Sequence, residues 1–212
     1  MEAPTGSRRT PAPEERQRDA ERTRRQLLTA ALEVFAAKGY AGARVQDIAD
    51  RAGVNKRLIN YYFGGKEGLY RALRSEWLSR EAEFATPDLS ISDLTVRYLH
   101  EVLANPQSIR LVLWHGLADG DETPPEQSED LSDLYRRREL GELSADLDPA
   151  SIMLAMMGMV MAPVTLPHIV RQLFGVEPGS AEFEARYGEQ LRLITSRLAA
   201  PGGAGTPEGV VR

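Results

Sequence analysis

The sequence predicts an all-α fold, with a small three-helix head at the N-terminus joined to a larger helical-bundle body. Apolar residues recur at helical spacing along most of the chain, with no strand-like alternation and no internal repeat. Glycines and prolines cut these stretches into helix-length pieces. Charge divides the same way: residues 1–80 hold 16 Lys and Arg against 10 Asp and Glu, while residues 81–212 hold 10 against 21. A chain of 212 residues, 42% hydrophobic and 27% charged, has room for both parts and the composition of a globular protein. The basic head and acidic body point to a local polyanion footprint, despite an overall charge of −5.

Residues 1–20 are expected to form a disordered arm, because Pro4, Pro11 and Pro13 stand among charges with little to bury. Helical pattern starts near Arg22, carried by Leu27, Leu28, Ala31, Leu32 and Phe35, and Gly39 sits where a C-terminal cap belongs. Val45–Ala52 reads as a second helix broken by Gly53. Asn55 is placed to cap a third helix that ends at Phe63, before Gly64-Gly65. A fourth starts near Lys66 with Leu69, Leu73 and Trp77 on one stripe. Beyond Pro87, helices are expected over about 92–104, 107–117 and 129–143, with an acidic, Pro-containing loop at 119–128. Asp148 and Pro149 should cap and open a Met-rich helix. Pieces at 167–174 and 181–198 follow, and residues 201–212 read as a tail.

Several function classes are excluded or disfavoured. The chain has no cysteine, which removes disulfides, thiolate metal sites and cysteine nucleophiles. The N-terminus lacks the apolar core of a secretory signal, and a cytoplasmic location is expected. Residues 150–170 carry no charged side chain, but Pro163, Pro167 and His168 interrupt them. We read this stretch as a buried helix ending at Ala162 and followed by a Pro-broken turn, rather than a membrane span. The three histidines are scattered without metal-ligand spacing, and no nucleophile-base set or carboxylate pair stands out. No cofactor, metal or catalysis is expected.

The head carries the informative motif. Two short helices joined by a tight Gly-containing turn have the layout of a helix-turn-helix, whose last helix enters the DNA major groove. At about 100° per residue, Val54, Leu58, Tyr62, Ile59 and Phe63 spread over one half-turn, and Lys56, Asn60, Arg57 and Tyr61 over the other. One face is apolar. The other offers an ammonium, an amide, a guanidinium and a phenol, groups suited to base edges and phosphates.

Residues 44–69, RVQDIADRAGVNKRLINYYFGGKEGL, resemble the signature of tetracycline-repressor-type (TetR-type) regulators. Ile48-Ala49, Ala52-Gly53-Val54, Tyr62-Phe63 and Lys66-Glu67-Gly68-Leu69 match that pattern in order and spacing. With Phe35 and Gly39 the likeness covers about residues 24–73. Gly64-Gly65-Lys66 is not a phosphate loop, since the wider spacing is missing. The chain departs from the family at Arg44, where Thr is common, at Asn60, where Tyr is common, and at Arg57, where Gly is frequent. The resemblance implies DNA contacts by Arg44, Asn55, Lys56, Arg57, Asn60, Tyr61, Tyr62 and Lys66. Local roles stand beside these: Asn55 as a cap, Tyr62 as a core aromatic, Lys66 as a solvated helix start. The basic residues Arg22, Arg24 and Arg25 read either as a solvated face or as a further DNA-contacting arm.

For the rest of the chain the resemblance implies a ligand-binding and dimerisation domain. The expected division is a DNA-binding domain at 21–67 and a body at 68–200. Homodimer contacts are expected through about residues 149–162 and 181–198, the latter with Phe183, Tyr187, Leu191, Ile194 and Leu198. Met153, Met156, Met157, Met159 and Met161 form either an adaptable surface or ordinary core. Pocket candidates are His100, Trp114, His115, Met157 and Met161. The expected activity is that of a repressor released from a pseudo-palindromic operator by a small molecule, with helix four as the lever. Alternatives are a DNA-binding regulator with no small-molecule effector and, from another class, a helical enzyme or carrier.

Overall fold

The computed structural model describes residues 13–117 and 129–198, and among these every regular element is a helix. They are α1 (Pro13–Gly42), α2 (Val45–Ala52), α3 (Arg57–Phe63), α4 (Lys66–Phe84), α5 (Ile91–Ala104), α6 (Pro106–Leu117), α7 (Ser132–Glu139), α8 (Pro149–Thr165), α9 (Pro167–Phe174) and α10 (Ala181–Ser196). The chain forms two compact units that part between Arg74 and Ser75. The expected boundary at 67/68 falls earlier because Leu69, Tyr70 and Leu73 on the first turns of α4 are buried in the head. Residues 1–12, the acidic loop expected at 119–128 and the tail lie outside the described residues.

In the head, α1 begins at Pro13 rather than near Arg22, so residues 13–20 of the expected arm are helical. Glu14 and Glu15 occupy the first turn, where carboxylates favour the positive end of the helix. An Arg18–Glu14 pair at 3.9 Å and a Gln17–Glu21 bond at 3.3 Å follow one turn apart. Pro13 at the first position lacks only an N–H that has no intrahelical partner there. Near its end α1 is interrupted at Gly39, whose φ 68°, ψ 173° is open essentially to glycine alone. Leu27, Ala31, Phe35, Ile48, Ala49, Ile59 and Leu69 are fully buried and form the core of the head. Phe35, Tyr40 and Tyr70 add a three-ring cluster with centroids 5.2–5.8 Å apart.

The body is built around α5, which packs on α10 and α8. One core cluster joins Leu99, Val102, Ile109, Val160 and Leu191, and a second joins Ile91, Leu134, Leu143 and Ile152. Asp148 caps α8 as expected, accepting from the Ser151 N–H at 2.8 Å, with Pro149 in the first turn. Helix α8 continues through Pro163 to Thr165 instead of ending at Ala162. Proline removes the hydrogen bond that would reach the carbonyl four residues back, Met159. The Tyr187 hydroxyl of α10 donates to that carbonyl at 2.9 Å, which satisfies it. The predicted 129–143 helix is shorter, Ser132–Glu139. Asp130 accepts from the Ser132 N–H at 2.9 Å before it, and Gly141 turns the chain with φ 78° after it.

Most of the final stripe offered for dimer pairing is consumed inside the body. Phe183 and Leu191 are buried, and Tyr187 stacks on Phe183 at 5.2 Å. Of the methionines, Met153, Met156, Met159 and Met161 pack against the two clusters, which is the core reading. No single described helix is long and apolar enough to cross a membrane, although α8 and α9, bent by 84°, pass by composition as a pair.

Candidate nucleic-acid interface

The turn between α2 and α3 fixes the direction of the latter. Gly53 takes the left-handed conformation (φ 67°, ψ 29°) just past α2. Its N–H bonds the Asp50 carbonyl at 3.2 Å, and the Val54 N–H bonds the Ala49 carbonyl at 3.0 Å. This paired pattern closes the open end of α2 and requires a residue tolerant of positive φ. The Asn55 side-chain oxygen then accepts from the Arg57 N–H at 2.9 Å, and its carbonyl accepts from Leu58. Asn55 therefore performs the capping role, with its carboxamide oxygen committed to the backbone.

Helix α3 separates its faces as the sequence predicts. Ile59 is fully buried, Val54, Leu58, Tyr62 and Phe63 are half-buried, and Lys56, Arg57, Asn60 and Tyr61 are exposed. Tyr61 is 79% exposed, unusual for a large aromatic on a folded head and consistent with a ring that has work outside it. Tyr62 meets Tyr61 edge-on at 4.9 Å and Phe63 at 6.4 Å, so it spans the core and the exposed ring. Gly64 ends the helix with φ 71°, its N–H bonded to the Asn60 carbonyl at 2.9 Å.

Arg44 precedes α2 in extended conformation with no side-chain cap bond, leaving the guanidinium exposed. Lys66 opens α4 with its ammonium 4.3 Å above the Tyr40 ring and 3.4 Å from the Ala41 carbonyl, which orients the cation. Helices α1 and α2 are tied by Lys38–Asp47 at 2.7 Å and by Arg51–Glu33. The bond from Lys38 holds the Asp47 carboxyl below the usual carboxylate range. On α1, Arg24 lies over the Phe63 ring at 5.2 Å.

The proposed effector residues do not converge in the same way. The exposed His100 ring pairs with Glu184 of α10 at 2.7 Å, and Trp114 is 40% exposed. His115 is half-buried, and its Nδ1 is closed off from solvent without a hydrogen-bond partner. Met161 packs in the first core cluster, and Met157 is half-buried. No three His, Asp or Glu side chains come together as a metal site among the described residues.

Nothing in the residue pattern singles out Arg137, which is fully buried in the body. It donates to Asp133 and Glu142, each at 2.6 Å, and to the Leu89 carbonyl at 2.8 Å, while neighbouring Arg136 reaches the Pro87 carbonyl at 3.3 Å. Together they pin the segment between α4 and α5. Burial acts to lower the Arg137 pKa, but the bonds from Asp133 and Glu142 outweigh it and raise it. Within the Arg136–Glu139 run of charges, only the tertiary fold distinguishes this buried arginine from a solvated one. Tyr98 is similar: burial and its 2.6 Å bond to Glu81 push its phenol well above the usual range.

Comparison with known proteins agrees with this architecture. Residues 27–73 match the family model described as bacterial regulatory proteins, tetR family, and residues 90–192 match the tetracyclin repressor-like C-terminal domain. The HTH-type transcriptional repressor SCO4008 of Streptomyces coelicolor is 28% identical over 74% of this chain and 86% of its own. The uncharacterized HTH-type transcriptional regulator TtgW of Pseudomonas putida is 35% identical over 47% of this chain and 78% of its own. Among solved structures, the putative transcriptional regulator SCO4942 from Streptomyces coelicolor superposes with a TM-score of 0.64 at 25% identity, covering 81% of this chain and 97% of that one. The chain belongs to the TetR family of helix-turn-helix transcriptional regulators.

Proposed function

We propose that this regulator is a repressor that binds a pseudo-palindromic operator as a homodimer and leaves it when a small molecule binds the body. The observation that carries the DNA reading is the exposed donor row of α3, Lys56, Arg57, Asn60 and Tyr61, set on a helix anchored by buried Ile59. Arg57 and Asn60 would read base edges, and Arg44, Lys56, Tyr61 and Lys66 would hold phosphates. Asn55 would add only its amide N–H groups, since its oxygen caps α3. Tyr62 would act mainly by supporting Tyr61. A protein that works on operator DNA would do so in the cytoplasm.

The homodimer would use the outer faces of α8 and α10, where Leu154 is 73%, Leu193 40% and Ile194 45% exposed. Small residues Ala155 and Gly158 share the exposed face of α8 with Leu154 and permit close helix approach. Two heads related by a two-fold axis then meet two half-sites. An effector would act by differential affinity, and a coupling of about 1–3 kcal/mol gives roughly a 5–150-fold change in operator affinity. Helix α4 is the proposed lever. His115, Met157 and Met161 remain the proposed pocket contributors, while exposed His100 and Trp114 would serve only at its mouth.

The decisive experiment is an anisotropy titration against DNA from beside the protein's own gene, with a scrambled competitor, at two salt concentrations. Saturable binding that resists the competitor and weakens with salt is expected. Equal competition by the scrambled duplex would refute operator recognition. A melting screen then tests the effector, because a ligand of the native body raises its Tm by mass action.

A further inference from the structure

Helices α1 and α2 enclose an open groove of about 430 Å³ whose lining includes Arg22, Arg25, Gln26, Thr29, Glu33 and Arg51. The five α1 residues recur at helical spacing and make one stripe. Three guanidiniums face one carboxylate, so the groove carries an excess of positive charge. Glu33 is engaged by Arg51, and Arg22 pairs with Asp19 at 3.0 Å in an exposed, exchangeable ion pair. Arg25 is exposed and has no ion pair or hydrogen bond among the described residues. Guanidiniums suit phosphate oxyanions, which they bind with paired N–H donors. Gln26 and Thr29 add an amide and a hydroxyl, the other donor types that hold DNA backbone.

The position of the groove matters as much as its charge. Arg51 stands on the last turn of α2, immediately before the Gly53 turn that leads into α3. The groove thus reaches the last residues of α2, Arg51 and Ala52, which lead into the helix that carries the exposed donors. We infer that this groove holds backbone phosphates of the duplex flanking the bases met by α3. Binding there lengthens the footprint and adds affinity without sequence preference. The inference rests on the DNA-binding reading above, but not on which sequence is the operator.

The test is a salt series of binding titrations with an operator candidate and a scrambled duplex, comparing wild type, the double variant R22A/R25A, and E33Q. The double variant should lower the slope of log K against log salt on both duplexes by about 0.9 for each phosphate no longer neutralised. The ratio of affinities for the two duplexes should stay the same. E33Q should raise affinity for both, since it removes the competing carboxylate and frees Arg51. Wild type and the double variant should melt together, because Arg22 and Arg25 are exposed. E33Q also breaks the Arg51–Glu33 tie between α1 and α2, so its affinity is compared below its own melting transition. A double variant with wild-type slope and affinity would overturn the inference. Pyrophosphate serves as the small-anion probe: saturable binding in the groove with an unchanged DNA slope would assign it to a small anion and overturn the duplex placement. Wild-type protein that does not distinguish the duplexes counts against the operator reading alone, because the slope change is still read on either one.

Discussion

The head and the body use polar side chains in opposite ways. Among the described residues the buried Ser, Thr, Glu and Arg side chains, Ser92, Thr95, Glu101, Arg137 and Thr195, all belong to the body, and no charged side chain is buried in the head. The head has a core of aliphatic and aromatic side chains and exposes most of its cations, where water or DNA can meet them. The body encloses polar groups and bonds several of them across helices, as where Thr195 of α10 bonds Ser92 of α5 at 3.0 Å. Buried polar groups cost stability unless partnered, and the partner must sit in one place. The difference teaches that charge in the head is available for recognition, whereas charge in the body fixes geometry.

The strongest way to break this comparison is Arg137→Ala. It leaves Asp133 and Glu142 without their shared cation, and the expected loss of body stability is about 3 kcal/mol in denaturant unfolding. A change below the resolution of the assay would mean the buried arginine does not organise the body. Arg57→Ala should do the reverse in the head. Stability should hold within about 0.5 kcal/mol, while binding falls by about 1–3 kcal/mol with relaxed preference at one base position. Uniform weakening across all sequences would instead make Arg57 a phosphate-binding residue.

Tyr187→Phe should cost the body about 1–2 kcal/mol, because the Met159 carbonyl beside Pro163 then lacks a donor. Unchanged stability would show that water replaces the hydroxyl. The gentlest test is acid. Burial works to raise the Asp133 pKa, but bonds from Arg137 and Arg136 outweigh it and hold the carboxyl below the usual range. Its stabilisation is therefore present above the unfolded carboxylate pKa of about 4, and is lost as pH falls through the lowered folded value. Asp133→Asn should flatten the acid limb of the body's melting profile. Asp47→Asn should do so for the head, by removing the carboxylate that Lys38 bonds. Acid limbs unchanged by both substitutions would remove these carboxylates as the cause.

Legibility in the sequence follows the same division. The α2–turn–α3 unit could be read because its determinants are local: Gly53 for positive φ, Asn55 for the cap, and helical spacing for the apolar and donor faces. The Asp148-Pro149 start of α8 is legible for the same reason. The early start of α1 is obscured by Pro13 among charges, which reads as disorder unless the one-turn charge pairs are given weight. The body's polar bonds are not readable. Arg137 lies in a run of charged residues, and its partner on the α4–α5 segment comes from a distant part of the chain. The stripe of Phe183, Tyr187 and Leu191 shows that α10 buries one face, but spacing alone does not distinguish a core face from a dimer face. The extension of α8 past Ala162 requires knowing that a hydroxyl from α10 reaches Met159.

The hydroxyl of Tyr187 also constrains how sequences of this kind can drift. An apolar stripe tolerates sliding by a fraction of a turn, but a hydroxyl aimed at one vacated carbonyl has a single address. Proline at 163 creates the vacancy and tyrosine at 187 fills it, so replacing either one removes the need for this bond, although the Tyr187 ring still stacks on Phe183. Lineages that replace the tyrosine should shed the proline as well, and the two positions should be inherited as a unit.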